Sequence, residues 1–372
     1  MKTPLFWAML DHDVYGNALG YAWHKKMMKQ YSAEYFEYSE DADIALQIIS
    51  ADHFIPVAGK INVLFTMWEF LDLPPSYIEG INKADVLIVP CDWCRDLFRR
   101  YTEKPIYVCN EGIEPGTFPF FDRSQNRPNG SDKKFRFLWC GAPNPRKGYE
   151  FVVKSIKLFE KMPEIEIYIK TTSKKIDLTN IRERRAEYGD ITDEDFEKRI
   201  ERMIEREPKL KTENLTHFGE HQNIIYDTRK LSFDELVGLY NSAHCFLLPT
   251  LGEGWGLTLC EAMATGCPSI ALPQTGCAEY FDERVGFGVK YDIITMRLEN
   301  YGISSRTYLP NLEDFVSKMV MVIQNYDEAL KRGKRASERI HKNFTWPQAA
   351  RRLHDIILEV KANMTQEVCC AH

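Results

Sequence analysis

Short apolar runs recur along the chain and alternate with stretches whose apolar positions return every three or four residues. "TPLFWAML", "DIALQIIS", "INVLFTMW", "DVLIVPC" and "PIYVCN" have the length and residue types of buried strands. Between them, "YAWHKKMMKQY" and "CDWCRDLFRRY" have helical periodicity. This βαβ grammar predicts an α/β architecture with parallel sheets covered by helices. A polar, turn-rich segment, "FDRSQNRPNGSDKK" (residues 121–134), interrupts it, and the grammar then restarts with "FRFLWCG", a helix from about Gly148, and "EIEIYIKT". The restart predicts two domains, residues 1–125 and 126–345. Within the second, "DITDEDFEKRIERMIEREPKLK" places Phe196, Ile200, Met203 and Ile204 at helical spacing amid charge, so a solvated helical insertion is expected near 174–212.

Composition agrees with two cores, since 372 residues at 44% hydrophobic are more than one core needs. Ten cysteines are too sparse for a disulfide framework, and the apolar run in "MKTPLFWAML" is too short for a signal peptide, so a reduced, cytoplasmic setting is expected. No apolar run approaches the roughly twenty residues of a membrane span. Charge is uneven, with a net −7 over residues 1–120 and +1 over the remainder. An acidic first domain argues against broad electrostatic capture of nucleic acid or of an anionic membrane, and "WHKKMMK" reads as a solvated helix face. Cys91 and Cys94 form a lone C-x-x-C with no second pair at metal spacing and read as buried thiols. The final "CCAH" resembles a prenylation box only loosely.

The chemistry concentrates in "TLGEGWGLTLCEAMATGCPSIAL". "HCFLLPT" before it reads as a parallel strand, "LGEGWG" as the loop leaving its C-terminal end, and "LTLCEAMAT" as a helix closed by Gly266. Ligands of open parallel sheets bind at that end. Glu253 in the loop and Glu261 in the helix then border a cleft into which the helix start points free N–H groups, an arrangement that attracts phosphate. Carboxylates do not bind phosphate, but they accept hydrogen bonds from sugar hydroxyls on either side of it. A bland reading also fits any such pair: a helix acid offsetting the dipole and a loop acid in solvent.

The segment "YNSAHCFLLPTLGEGWGLTLCEAMATGCPSIA" resembles the E-x7-E signature of retaining glycosyltransferases of family 4 almost position for position. "LWCGAPNPRKGYEFVVKSIKLF" resembles that family's strand, phosphate loop and helix, and "FTMWEF" with "DVLIVPCDWCRDLF" resembles its acceptor domain. The resemblance implies the GT-B fold, two Rossmann-like domains facing each other across a cleft, with a C-terminal helix and tail (346–372) packing back on the first domain. It implies that Glu253 holds the transferred sugar, Glu261 the nucleotide ribose, and the backbone of Gly256, Leu257 and Thr258 the diphosphate, with Gly254 and Trp255 also in the donor site. Thr171, Thr172 and Tyr226 would border the base, with packing an equal reading for Tyr226. Trp68 and Glu69 match acceptor-side positions, Glu69 as acceptor orienter or base or else as a structural acid.

The sequence departs from the family at one point. The lysine of the phosphate loop is present as Lys147, but the position of the usual arginine, after Gly141, is Ala142, and Arg146 beside the lysine reads either as the substitute for that arginine or as a solvated loop residue. The first βα loop, with Gly16, Gly20 and Asn17, is expected over the diphosphate, and His12 near the acceptor. The expectation is a metal-independent, retaining transferase with no cofactor, moving a sugar from a nucleoside diphosphate sugar, a UDP-sugar above others, to an acceptor hydroxyl. Its acceptor is open: a glycan, a lipid-linked sugar, a small molecule or a hydroxylated DNA base, nucleic acid entering only as acceptor. A nucleotide-sugar binding protein without turnover and a sugar-nucleotide epimerase are the alternatives.

Overall fold

A computed structural model of the chain describes residues 2–8, 19–128, 133–159, 161–171, 215–218 and 221–370, and the insertion expected near 174–212 lies outside them. The first sheet contains β1 (Thr3–Trp7), β2 (Phe36–Tyr38), β3 (Ile44–Ile48), β4 (Ile61–Phe65), β5 (Val86–Val89) and β6 (Ile106–Val108). All neighbours are parallel, in the order β2-β1-β3-β4-β5-β6. Every residue of β3 and β5 is buried, as strands covered on both faces must be. Helices α1 (Leu19–Ser32), α2 (Pro75–Lys83) and α3 (Asp92–Phe98) supply part of that cover.

The second sheet contains β7 (Phe135–Cys140), β8 (Ile165–Lys170), β9 (Leu215–Phe218), β10 (His221–Asp227), β11 (Cys245–Leu248), β12 (Ser269–Ala271) and β13 (Phe287–Gly288). Its order is β13-β12-β11-β7-β8-β10-β9, parallel except for the edge strand β9. The alternation in β7 divides its side chains between two cores. Phe137 and Trp139 face α4 (Tyr149–Phe159), while Leu138 joins the core under α5 (Phe233–Ser242) and α6 (Leu257–Ala264). A hairpin, β14 (Tyr291–Leu298) and β15 (Ile303–Pro310), precedes α7 (Leu312–Gln324), α8 (Tyr326–Asn343) and α9 (Trp346–Cys370).

In α9, Trp346, Ala349, Ala350, Leu353, Ile356, Ile357 and Val360 form one apolar stripe, and it packs with Leu5, Trp7, Met27 and Met28 of the first domain. The outgoing and returning chains meet where Ile113 N donates to Phe344 O and Trp346 N to Ile113 O, both at 3.0 Å. Residues 113 and 344–346 thus lie side by side where the chain passes out and returns. The turn-rich segment that follows is anchored at Arg123. Its buried guanidinium donates to Ala243 O (2.9 Å), Tyr240 O (2.8 Å) and Thr265 O (2.6 Å), and so ties the segment to the C-terminal ends of α5 and α6. Carbonyls at helix ends are unpaired and carry partial negative charge, which a planar five-donor cation satisfies.

The β14–β15 hairpin crosses between the domains. Arg306 holds Asp72 (Nη2–Oδ1 2.7 Å), Leu71 N donates to Arg306 O at 3.0 Å, and Thr307 Oγ1 donates to Leu251 O at 2.9 Å. It thus braces the loop after β4 against the loop after β11, the two loops that carry Glu69 and Glu253.

Candidate active site

The phosphate loop follows β7. Asn144 Oδ1 accepts from Lys147 N (3.0 Å), closing a tight turn over Pro145–Lys147, and Gly148 ends it at φ 68°. A Cβ at Gly148 would lie 1.8 Å from Pro249 O, so only glycine lets this turn seat against the end of β11. Arg146 O accepts from Leu251 N (2.7 Å) and from Thr250 Oγ1 (2.8 Å), which stitches the phosphate loop to the loop of Glu253.

That stitching brings distant charges together. Lys147 Nζ lies 2.8 and 2.7 Å from Oε1 and Oε2 of Glu253. Arg146 Nη1 donates to Gly252 O (2.7 Å) and to Glu253 Oε2 (3.3 Å), and its Nη2 lies 3.7 Å from Glu69 Oε1 across the cleft. Thr250 Oγ1 lies 3.1 Å from Glu253 Oε1, its one proton shared between that oxygen and Arg146 O. Burial alone would push the Glu253 carboxyl up, but Lys147, Arg146 and the Thr250 hydroxyl together outweigh it and hold the group below the usual carboxylate range. Ala142 is exposed, and Arg146 stands with Lys147 against Glu253.

The second carboxylate is treated differently. Glu261 sits one turn inside α6, partly exposed at the cleft, and its Oε2 accepts from the buried Tyr240 hydroxyl at 2.8 Å. Burial pushes it up to about 7, against the opposing Tyr240 hydrogen bond. Between the two carboxylates the chain turns through Gly256 at φ 95°, and the first N–H groups of α6, at Leu257 and Thr258, lack partners within the helix.

Close approach of the domains also depends on glycine. A Cβ at Gly252 would lie 1.9 Å from Glu69 O, and one at Gly254 would lie 2.5 Å from Met67 Sδ. Gly254 O accepts from Cys91 Sγ at 3.6 Å, while the other buried thiol of the C-x-x-C, Cys94, bonds Trp68 O at 3.6 Å.

Several expected residues lie elsewhere. Trp68 is 3% exposed, with its indole N–H on Asp72 O (3.0 Å) and its ring against Phe70, Tyr77 and Tyr301, so it packs beneath the cleft. Trp255 is 2% exposed, with its ring packed against Tyr280 and Phe344. Tyr226 is a core residue of β10. Thr171 is buried beyond β8 and donates its N–H to Asp227 O at 3.0 Å. His12, Gly16, Asn17, Gly20 and Thr172 include residues outside those described, and Gly20 alone of the five lies inside, in α1. Sequence reasoning passed over Thr250, Thr275 and Tyr240, whose hydroxyls bond the two glutamates. The only signal for them was position: Thr250 and Thr275 follow strands β11 and β12, and Tyr240 faces inward from α5.

Solved structures share this architecture. Sucrose-phosphate synthase of Thermosynechococcus elongatus superposes with a TM-score of 0.61 at 15% identity, covering 96% of this chain and 81% of that one. HepE of Anabaena, in complex with UDP and glucose, gives 0.56 at 12% identity over 80% of this chain and 71% of that one. A structure of TarM gives 0.55 at 13% identity over 90% of this chain and 57% of that one. The fold is GT-B. Residues 205–353 match the family described as Family 4 Glycosyltransferase in conflict systems, and this match, on a GT-B fold, supports a GT4-like glycosyltransferase. Among curated proteins, rice sucrose synthase 4 is 26% identical over 169 residues, 45% of this chain and 19% of that enzyme, so the matching stretch spans about a fifth of its curated relative.

Proposed function

We propose that the protein is a retaining, metal-independent glycosyltransferase that moves a sugar from a UDP-sugar to an acceptor hydroxyl. The observation that carries this reading is the Lys147–Glu253–Arg146 cluster at one side of the α6 start, with Glu261 at the other. A diphosphate at the helix start would have Lys147 and Arg146 beside it, fixed cations of the kind that stabilise a departing phosphate without a metal ion. The UDP complexes of HepE support the choice of base.

The cluster also suggests how donor binding is read. A carboxylate has about four lone-pair sites, and Glu253 meets two contacts from Lys147 and one each from Arg146 and Thr250. A sugar hydroxyl gains a place on Glu253 as Lys147 turns towards the diphosphate. Both ends of an intact donor are then needed for the exchange, and Glu253 meets the sugar where charge develops in the transition state. Glu69 faces the cluster from the acceptor domain and is positioned to orient the incoming hydroxyl. The acceptor class stays a glycan, a lipid-linked sugar, a small molecule or a hydroxylated base. Among the described residues no helix is long and apolar enough to cross a membrane. The buried free cysteines suit a cytoplasmic setting.

A thermal-shift screen of nucleotide-sugars tests the proposal. A ligand at a hundred times its Kd stabilises by about 2.7 kcal/mol. UDP-sugars are expected to raise Tm, and a full panel without any shift would contradict the reading.

A further inference from the structure

Among the described residues, Thr275 is the one non-glycine with positive φ, at 54°. A β-branched residue is strained there, because its Cβ substituents crowd the backbone. Strain of this kind persists where the surroundings over-determine it. The surroundings here are the loop that carries Glu253. Thr275 is 1% exposed, its hydroxyl donates to Gln274 O at 2.7 Å, and the same oxygen accepts the N–H of Glu253 at 3.0 Å. The next residue completes the grip, since Gly276 N donates to Glu253 O at 2.8 Å. A Cβ at Gly276 would fall 2.2 Å from Gly254 O, so the two segments are in backbone contact. One turn on, Tyr280 Oη lies 3.0 Å from Trp255 O and 2.8 Å from Gly256 O, its one proton shared between the two carbonyls. Residues 275–280 therefore hold the loop 253–256 by its main chain, and Thr275 is the member whose side chain does the holding.

We propose that Thr275 is a positioning residue for the transferase reaction: its left-handed backbone aims the hydroxyl at the Glu253 amide and thereby fixes where the Glu253 carboxylate meets the sugar. The inference rests on the reading of Glu253 as the sugar ligand, but its structural half can be tested without a donor. Glycine would relieve the strain and would leave a buried N–H without its acceptor. A threonine at this φ makes sense if the hydroxyl is worth the distortion.

Thr275→Val keeps the shape and removes the acceptor, and Thr275→Ser keeps the acceptor and removes the branch. Hydrogen exchange of the peptide spanning Thr250–Gly256, measured on the protein alone, should speed up about tenfold in Thr275→Val and stay near wild type in Thr275→Ser. If Thr275→Val does not fold, Thr275→Gly, which accepts the positive φ, should show the same acceleration. With UDP-glucose as probe and water as the glucosyl acceptor, hydrolytic release of UDP and glucose should fall roughly tenfold or more in the hydroxyl-free variant and recover in Thr275→Ser, while Kd for UDP changes less than about twofold. Wild-type exchange in Thr275→Val, or Thr275→Ser exchanging as fast as Thr275→Val, would overturn the proposal. Failure of wild-type protein to release UDP from UDP-glucose would count against that donor and leave the exchange result to decide on Thr275.

Discussion

Replacing Lys147 by Met keeps the aliphatic stem and removes the ammonium that sits 2.8 and 2.7 Å from the two Glu253 oxygens. Glu253 is 4% exposed, and losing one partner of a buried pair costs roughly 3–5 kcal/mol. Two features reduce that figure here. The Lys147 side chain is 21% exposed, and Arg146 stays 3.3 Å from Oε2. The expected loss is about 2–3 kcal/mol. Its pH dependence has a definite sign. In the wild type burial raises the Glu253 carboxyl, and the cations more than reverse this, so its contribution to stability is present above about pH 4.5 and is lost as pH falls through the depressed value. Without Lys147 burial prevails, the carboxyl moves up, and the charged form becomes a penalty that grows with rising pH. The gap between the two proteins should be widest near pH 7 and narrow towards pH 4. Urea melts followed by the second domain's tryptophans at both pH values measure it, each domain being fitted as its own transition. The double variant Lys147→Met, Glu253→Gln should regain most of the lost stability and remain inactive. A Lys147→Met protein as stable as wild type at pH 7, or a deficit that widens on acidification, would refute the pairing.

Glu261, raised to about 7 by burial, should lose stability as pH rises from about 4.5 to 7, so Glu261→Gln should gain on wild type above pH 7 and match it near pH 4. Ribose hydroxyls favour its ionised form, so UDP binding below pH 7 should release a proton that calorimetry in two buffers detects and that is missing in Glu261→Gln. Gly148→Ala places a Cβ 1.8 Å from Pro249 O at φ 68°, and should cost at least about 2 kcal/mol and abolish UDP binding, read by urea melts and calorimetry. With Lys147 and Arg146 at the phosphate loop, turnover should persist in chelator, and complete, metal-reversible loss would count against cation-only leaving-group stabilisation.

The βαβ order was legible because parallel strands buried on both faces are continuous apolar runs, and the loop–helix carrying Glu253 and Glu261 was legible because its glycines and its spacing are local. What escaped is tertiary. Trp68 has the composition of a ligand-facing aromatic, but its direction is set by Tyr301 on a hairpin more than two hundred residues away. That hairpin, "YDIITMRL" and "ISSRTYLP", alternates only weakly because one strand faces solvent, and its anchor, Arg306 on Asp72, spans both domains. The polar segment near Arg123 reads as a linker because composition does not reveal that one arginine caps two helix ends. Thr275 is invisible in sequence, since nothing in "LPQTGCAEY" signals a positive φ on threonine.

Calorimetry of UDP on Glu253→Gln and Glu261→Gln tests the division of labour between the carboxylates most directly. UDP contains the ribose and the diphosphate and lacks the transferred sugar. Glu261→Gln should weaken UDP by about ten- to a hundredfold, the loss of one hydrogen bond to a charged group, roughly 1.5–3 kcal/mol. Glu253→Gln should leave UDP affinity unchanged or tighten it, since Lys147 and Arg146 lose the carboxylate that holds them. Equal weakening by both substitutions, or weakening by Glu253→Gln alone, would contradict the assignment.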